Sequence, residues 1–129
     1  VLEMLKTLKE QGKRLAVLSN KAHFATVELC KKYFGDLIEF VMGERESEGI
    51  AKKPAPDSVF AALQAMGGER ARAVYIGDSE VDIQTAQNAK LDCISVTWGF
   101  KDKDFLIKNG AKRFADTPQQ LSAFLQANK

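Results

Sequence analysis

The sequence predicts an α/β fold, a doubly wound, Rossmann-like parallel sheet with helices on both faces, and three observations predict it. Short apolar runs at 15–18, 73–76 and 93–96 have strand length and alternate with longer segments of helical periodicity. Two of these runs end in small polar residues, Ser19-Asn20 and Gly77-Asp78, as strands do where they hand over to helices at the carboxyl edge of a parallel sheet. With 129 residues, 45% of them hydrophobic, the chain can build one core of ordinary size, so a single domain over 1–129 is expected.

Each element has its own justification. Val1, Leu2, Leu5 and Leu8 recur at helical spacing until Gln11-Gly12 breaks the pattern, and the 15–18 run is a compact strand. The helix expected at 22–33 carries Phe24, Val27 and Cys30 near one face, and Phe34-Gly35 closes it before a short strand at 38–42. The polar segment 43–52 is a loop. Pro54 and Pro56 stand at a helix entrance, where a missing N–H costs little, and Val59, Phe60, Leu63 and Met66 form that helix's apolar stripe up to Gly67-Gly68. Strand 73–76, helix 81–89 and strand 93–96 follow. A short helix at 105–109 closes at Gly110, Phe114-Ala115 adds an edge strand, and Thr117-Pro118 opens a last helix through Leu121, Phe124 and Leu125.

Nineteen basic and seventeen acidic residues, interspersed, leave a net charge of +2, too weak a balance to point to nucleic acid. Cys30 and Cys93 have neither metal-ligand spacing nor a disulfide framework, so both are expected to be reduced core residues in a cytoplasmic protein. No apolar run reaches membrane-spanning length, and no signal-peptide layout opens the chain.

The stretch Gly77-Asp78-Ser79-Glu80-Val81-Asp82 carries the most chemistry. Gly77 is expected to let the backbone turn sharply, so that Asp78 offers a hard oxygen donor at a strand end, of the kind Mg²⁺ prefers. Asp82 falls in the first helical turn, where the helix dipole favours a carboxylate. The same residues also read as an ordinary helix start, with Asp78 or Ser79 as N-cap and no metal. Ser19-Asn20 offers a hydroxyl, an amide and backbone N–H groups at a helix start, which suits a phosphate or, equally, simple capping. Lys53 puts an ammonium at the mouth of another helix, although Lys52 beside it is as well placed.

Three segments together resemble a known family. Leu15-Ala16-Val17-Leu18-Ser19-Asn20-Lys21, Lys53-Pro54-Ala55-Pro56-Asp57 and Gly77-Asp78-Ser79-Glu80-Val81-Asp82 resemble the second, third and fourth motifs of the haloacid dehalogenase (HAD) superfamily, in its phosphoglycolate-phosphatase-like branch. Val96-Thr97-Trp98-Gly99-Phe100 resembles the strand and loop after the fourth motif. The resemblance implies a HAD-like hydrolase, a Mg²⁺-dependent phosphatase of small phosphate monoesters, with a small phosphorylated metabolite as partner and neither nucleic acid nor membrane. It implies that Ser19 binds a phosphoryl oxygen, helped by Asn20, and that Lys53 offsets charge on the transferring group. It further implies that Asp78 ligates Mg²⁺ directly, while Asp82 holds Lys53 or a metal-bound water from one layer out.

Enzymes of this superfamily use an Asp nucleophile in an Asp-x-Asp-Gly pattern at the end of an N-terminal strand, which forms an aspartyl-phosphate. The 129 residues hold no such motif; Asp102-Lys103-Asp104 lacks a preceding strand and a following Gly and reads as a loop leading into a helix cap. The helical cap domain is also missing, and Val1 reads as the start of the helix that follows it. The expectation is an incomplete HAD core, truncated at its N-terminus, inactive alone and weak in binding Mg²⁺. By the resemblance, the missing strand lies between those at 15–18 and 73–76. Two open strand edges result, which favour a rearranged, dimeric or domain-swapped sheet. The alternative is a noncatalytic phosphate-binding or interaction module derived from the same fold.

Overall fold

The computed structural model describes residues 2–99 and 101–127; Val1, assigned above to the first helix, and Phe100, at the end of the 96–100 segment, lie outside them. The chain divides into two compact units, Val1–Glu69 and Arg70–Lys129.

The first unit runs α1 (Leu2–Glu10), β1 (Ala16–Ala22), α2 (His23–Phe34), β2 (Phe40–Glu44) and α3 (Asp57–Met66), with 3-10 turns at Gly35–Leu37 and Glu46–Glu48. β1 and β2 are parallel, pairing Ala16 with Phe40, Val17 with Val41, Leu18 with Met42 and then Ala22 with Glu44. Ser19, Asn20 and Lys21 therefore stand opposite Gly43 alone, in a bulge. This corrects the sequence expectation, in which the strand stopped at 18 and Ser19-Asn20 opened the helix. The reason is steric: because Gly43 has no side chain, the chain at Lys21 to His23 folds down over β2, and a Cβ on Gly43 would lie 2.5 Å from both His23 Cα and Lys21 O.

Leu8, Cys30, Met42, Val59 and Ala62 are the buried apolar residues of this unit. Phe24 and Phe60, each placed on its helix's apolar face by the sequence, are exposed instead. Phe24 is 79% exposed, because the buried row of α2 is Thr26 and Cys30, and Phe24 stands about 200° around the helix from Thr26. Phe60 is 43% exposed, since Val59 and Ala62 form the inner row of α3 instead. At the end of α3, Gly67 takes a left-handed φ of 64°, and the Gly68 N–H donates to Leu63 O at 2.9 Å, closing the helix as Gly67-Gly68 predicted. Arg14, at the entry to β1, donates through Nε to Glu39 Oε1 at 3.0 Å and through Nη1 to the Met66 carbonyl. The hydrogen bonding of Arg14 to the carboxylate, and less so its charge, holds the Glu39 carboxyl below its usual range. An exposed pair of this kind adds little stability.

The second unit runs from a 3-10 turn at Arg70–Arg72 through β3 (Val74–Gly77), α4 (Glu80–Ala89), β4 (Asp92–Val96), α5 (Lys103–Lys108), β5 (Phe114–Ala115) and α6 (Pro118–Ala127). Its ladder is parallel in the order β3-β4-β5, with Val74 opposite Asp92, Gly77 opposite Ser95 and Val96 opposite Ala115. Ile94, Leu106 and Leu121 are fully buried and anchor the core. Asp102 caps α5 by accepting from the Phe105 N–H at 2.8 Å, which gives Asp102-Lys103-Asp104 the capping role expected for it.

The α/β class and the parallel pairing are as the sequence predicted. The strands form two ladders, however, and among the described residues β1 and β3 each have a hydrogen-bonded neighbour on one side only. No helix of the described residues is long and apolar enough to cross a membrane. Both cysteines are free thiols, Cys30 buried and Cys93 half-buried. Burial pushes the Cys93 thiol up to about 11. At pH 8 that leaves about 0.1% thiolate, against roughly a quarter for an ordinary cysteine, so iodoacetamide should label Cys93 about two-hundredfold more slowly in the native protein than in urea. Equal rates would show that the thiol is not shielded.

Candidate active site

The site residues predicted in the first unit gather at the carboxyl end of β1. Ser19 is half-buried in the bulge, and its Oγ accepts the Lys21 N–H at 3.0 Å. Accepting leaves the hydroxyl hydrogen available to donate. The Asn20 side chain reaches across to the 52–55 turn, where its Nδ2 donates to Lys53 O at 3.1 Å and its Oδ1 accepts the Lys53 N–H at 2.9 Å. That two-point clasp ties Lys53, just ahead of the cis Lys53-Pro54 peptide, to the end of β1. The turn is steadied further by Ala55 N–H donating to Lys52 O at 3.0 Å and Ala51 N–H donating to Asp57 Oδ2 at 3.1 Å.

Lys52 and Lys53 differ in their settings. Lys52 is exposed and sits 3.8 Å from Glu46 in a surface pair, whereas Lys53 is half-buried and positioned through its own backbone. Beneath the bulge, His23 Nδ1 accepts the Gly43 N–H at 3.1 Å, and Thr26 Oγ1 donates toward the carbonyls of Ala22 at 3.0 Å and Lys21 at 3.2 Å. The structure thus brings Ser19, Asn20 and Lys53 together on one support.

In the second unit Asp78 follows β3 directly and Asp82 sits in the first turn of α4. Asp82 is 7% exposed, and its carboxylate is engaged at both oxygens. Oδ1 accepts from the Tyr75 hydroxyl at 3.2 Å; Oδ2 accepts from Asp78 N–H and from Ser79 Oγ, each at 3.1 Å. Ser79 is the N-cap, its Oγ accepting the Asp82 N–H at 3.4 Å. Of the two capping alternatives open in the sequence, the structure takes Ser79. Burial, and then the charge of Asp82, push the Tyr75 hydroxyl well above its ordinary pKa, so it stays a proton donor.

Gly77 has a reason different from the one the sequence suggested. Its φ is not in the left-handed region; instead, a Cβ there would overlap Asp82 Cβ, Cγ and Oδ2. It is a glycine because Asp82 comes down on it. Gly99, in the loop after β4, does the same for Asp78: a Cβ would lie 2.6 Å from Asp78 Cβ and overlap its Oδ2. The Asp78 carboxylate is therefore half-buried and pressed against a backbone, while no hydrogen bond or ion pair to it occurs among the described residues.

The described residues hold no group of three or more His, Cys, Asp or Glu side chains able to cage a metal ion. Mg²⁺ needs no such cage, since it keeps several waters and is bound through one or two carboxylates together with substrate phosphate oxygens. An unpartnered, fixed carboxylate at a strand end fits that habit as one anchor.

Sequence reasoning missed Tyr75, Gly99, Gly43 and His23. Tyr75 was within reach, because it lies two residues before Gly77 and so on the same strand face. The other three act through partners distant in sequence, and although Gly99 falls in the 96–100 segment that resembles the family, nothing local marked its contact with Asp78.

Comparison with known proteins gives a consistent answer. The family model for haloacid dehalogenase-like hydrolases matches residues 1–96. The provisionally named pyrophosphatase PpaX of Caldanaerobacter subterraneus subsp. tengcongensis is 32% identical over 130 residues, covering 94% of this chain and 54% of its own. A phosphoglycolate phosphatase of Rhodobacter capsulatus is 32% identical over 117 residues, covering 90% of this chain and 52% of its own. Among solved structures, a provisionally named phosphoglycolate phosphatase from Lactobacillus delbrueckii subsp. bulgaricus is 42% identical, with a TM-score of 0.92 over 96% of this chain and 51% of that one. The chain spans about half the length of each. With three motif segments in family order, the parallel α/β units that carry them and a family model matched over most of its length, the chain belongs to the haloacid dehalogenase-like hydrolase family.

Proposed function

We propose that this chain supplies phosphate-binding and metal-binding side chains to a Mg²⁺-dependent phosphatase of small phosphate monoesters, with phosphoglycolate-like metabolites as the substrate class that its relatives' names suggest. Asp78 carries the reading: its half-buried carboxylate is held against Gly99 on a turn that Asp82 organises, and no partner engages it among the described residues. Mg²⁺ bound there would neutralise charge on phosphoryl oxygens. Ser19 donates its hydroxyl hydrogen to a phosphoryl oxygen. Asn20 acts at one remove, carrying the backbone of Lys53 so that the ammonium offsets charge on the transferring group. Asp82 orders the Asp78 turn through the Asp78 N–H and the Ser79 hydroxyl. A cytoplasmic setting belongs to the same proposal and is supported by the two free thiols.

Because the 129 residues contain no Asp-x-Asp-Gly, the nucleophilic step is assigned to none of them, and this polypeptide alone is expected to be inactive with weak metal affinity. The test uses Mn²⁺ as a paramagnetic probe for the Mg²⁺ site and p-nitrophenyl phosphate as a generic substrate. Asp78→Asn should weaken Mn²⁺ binding at least about tenfold, or 1.4 kcal/mol, and hydrolysis with Mg²⁺ should stay at background. Mn²⁺ affinity unchanged by Asp78→Asn would sink the metal assignment. Mg²⁺-dependent turnover that disappears in Asp78→Ala would overturn the expected inactivity.

A further inference from the structure

We infer that Tyr75 is a positioning residue for the metal carboxylate: from inside β3, its hydroxyl fixes the Asp82 carboxylate in the orientation that holds the Asp78 turn. The inference rests on the reading of Asp78 as a metal ligand and adds to it a residue that touches neither metal nor substrate.

The chain of contacts is short and buried. Tyr75 is 8% exposed and Asp82 7%, and the hydroxyl meets Asp82 Oδ1 at 3.2 Å. The other oxygen of that carboxylate meets Asp78 N–H and Ser79 Oγ, both at 3.1 Å. A carboxylate turns about its last torsion in a broad, two-fold well, so one oxygen engaged from the loop side does not by itself set the plane of the group. A second donor on the opposite oxygen does. Tyr75 supplies it, and Gly77, two residues on along the same strand, leaves the space in which Asp82 meets them both. A phenylalanine at 75 would keep the packing of the ring while removing one donor from a buried, charged oxygen, and the loss of a hydrogen bond to a buried charge is costly. Asp82 would then turn or take up water, and the backbone N–H of Asp78 would lose its fixed acceptor. The effect therefore reaches Asp78 through its main chain.

Four proteins test this: wild type, Tyr75→Phe, Asp82→Asn and the double variant, each measured for Mn²⁺ affinity by electron paramagnetic resonance and for amide hydrogen exchange without metal. Tyr75→Phe should weaken Mn²⁺ binding about fivefold to tenfold, and the double variant should bind about as weakly as Asp82→Asn alone, since Tyr75 acts through Asp82. Exchange should speed up at Asp78 while amides in β4, such as that of Ile94, keep their protection. Unchanged Mn²⁺ affinity in Tyr75→Phe, or effects that simply add in the double variant, would overturn the inference. So would faster exchange spread evenly through the unit, because a merely structural tyrosine produces that pattern. Asp78→Asn, run alongside, separates the two layers. If it leaves Mn²⁺ binding intact, the metal assignment falls; if it weakens binding and Tyr75→Phe does not, the inference falls by itself.

Discussion

Replacing Gly77 with alanine should cost the protein about 2–6 kcal/mol and dismantle the Asp78 turn. The estimate has two parts. An added Cβ would overlap Asp82 Cβ and Cγ as well as Oδ2, so the conflict cannot be relieved by moving the tip of a flexible side chain. Overpacking of this kind costs about 1–3 kcal/mol. Displacing Asp82 also strands the buried Tyr75 hydroxyl and the Asp78 N–H, and a buried polar group left without its partner costs about 1–3 kcal/mol. The measurement is urea unfolding, where the midpoint should fall while the slope stays constant. Gly68→Ala is the matched control, because a Cβ there meets only Leu63 Cδ2, at 3.4 Å, an ordinary contact. A Gly77 variant as stable as the Gly68 variant would mean that Asp82 does not depend on that close approach.

The same glycine shows what the sequence disclosed and what it withheld. Periodicity is a local property, and it placed β3 and α4 within a residue or so of their observed limits, Val74–Gly77 and Glu80–Ala89. It also put Asp78 at a strand end and gave Asp102 its capping role. Periodicity says nothing about what leans on a residue from elsewhere. Gly77 was assigned to a sharp turn, a matter of its own φ, whereas the constraint is the side chain of Asp82 lying over it. The clasp of Asn20 on Lys53 spans 33 positions, and Gly99 meets Asp78 from the next strand-to-helix loop, so neither could be read from a local window. Phe24 and Phe60 were placed on their helices' apolar faces because they are apolar. The inner rows went to smaller neighbours, Thr26, Val59 and Ala62, and left both rings exposed. The motifs nevertheless identified the family, because the spacing of a site along the chain survives even when the packing that supports it cannot be foreseen.

In the first unit the largest effect is expected from Gly43→Ala. The clash there is with main chain: the new Cβ would lie 2.5 Å from His23 Cα and from Lys21 O, and 2.6 Å from Thr26 Oγ1. Backbone cannot swing aside as a side chain can, so the start of α2 must lift from β2. That movement would break the Gly43 N–H bond to His23 Nδ1 and the Thr26 bonds to Ala22 and Lys21, which together support the bulge bearing Ser19 and Asn20. A loss of about 3 kcal/mol or more follows from overpacking combined with broken, part-buried hydrogen bonds. His23→Ala separates the two contributions, because it removes the imidazole acceptor without adding volume at 43, and should cost about 1 kcal/mol in the same urea experiment. Equal losses in the two variants would show that the hydrogen bond alone matters. A much larger loss in Gly43→Ala, with faster amide exchange at Lys21 and Ala22, would show that the bulge exists because β2 presents a bare backbone at that position.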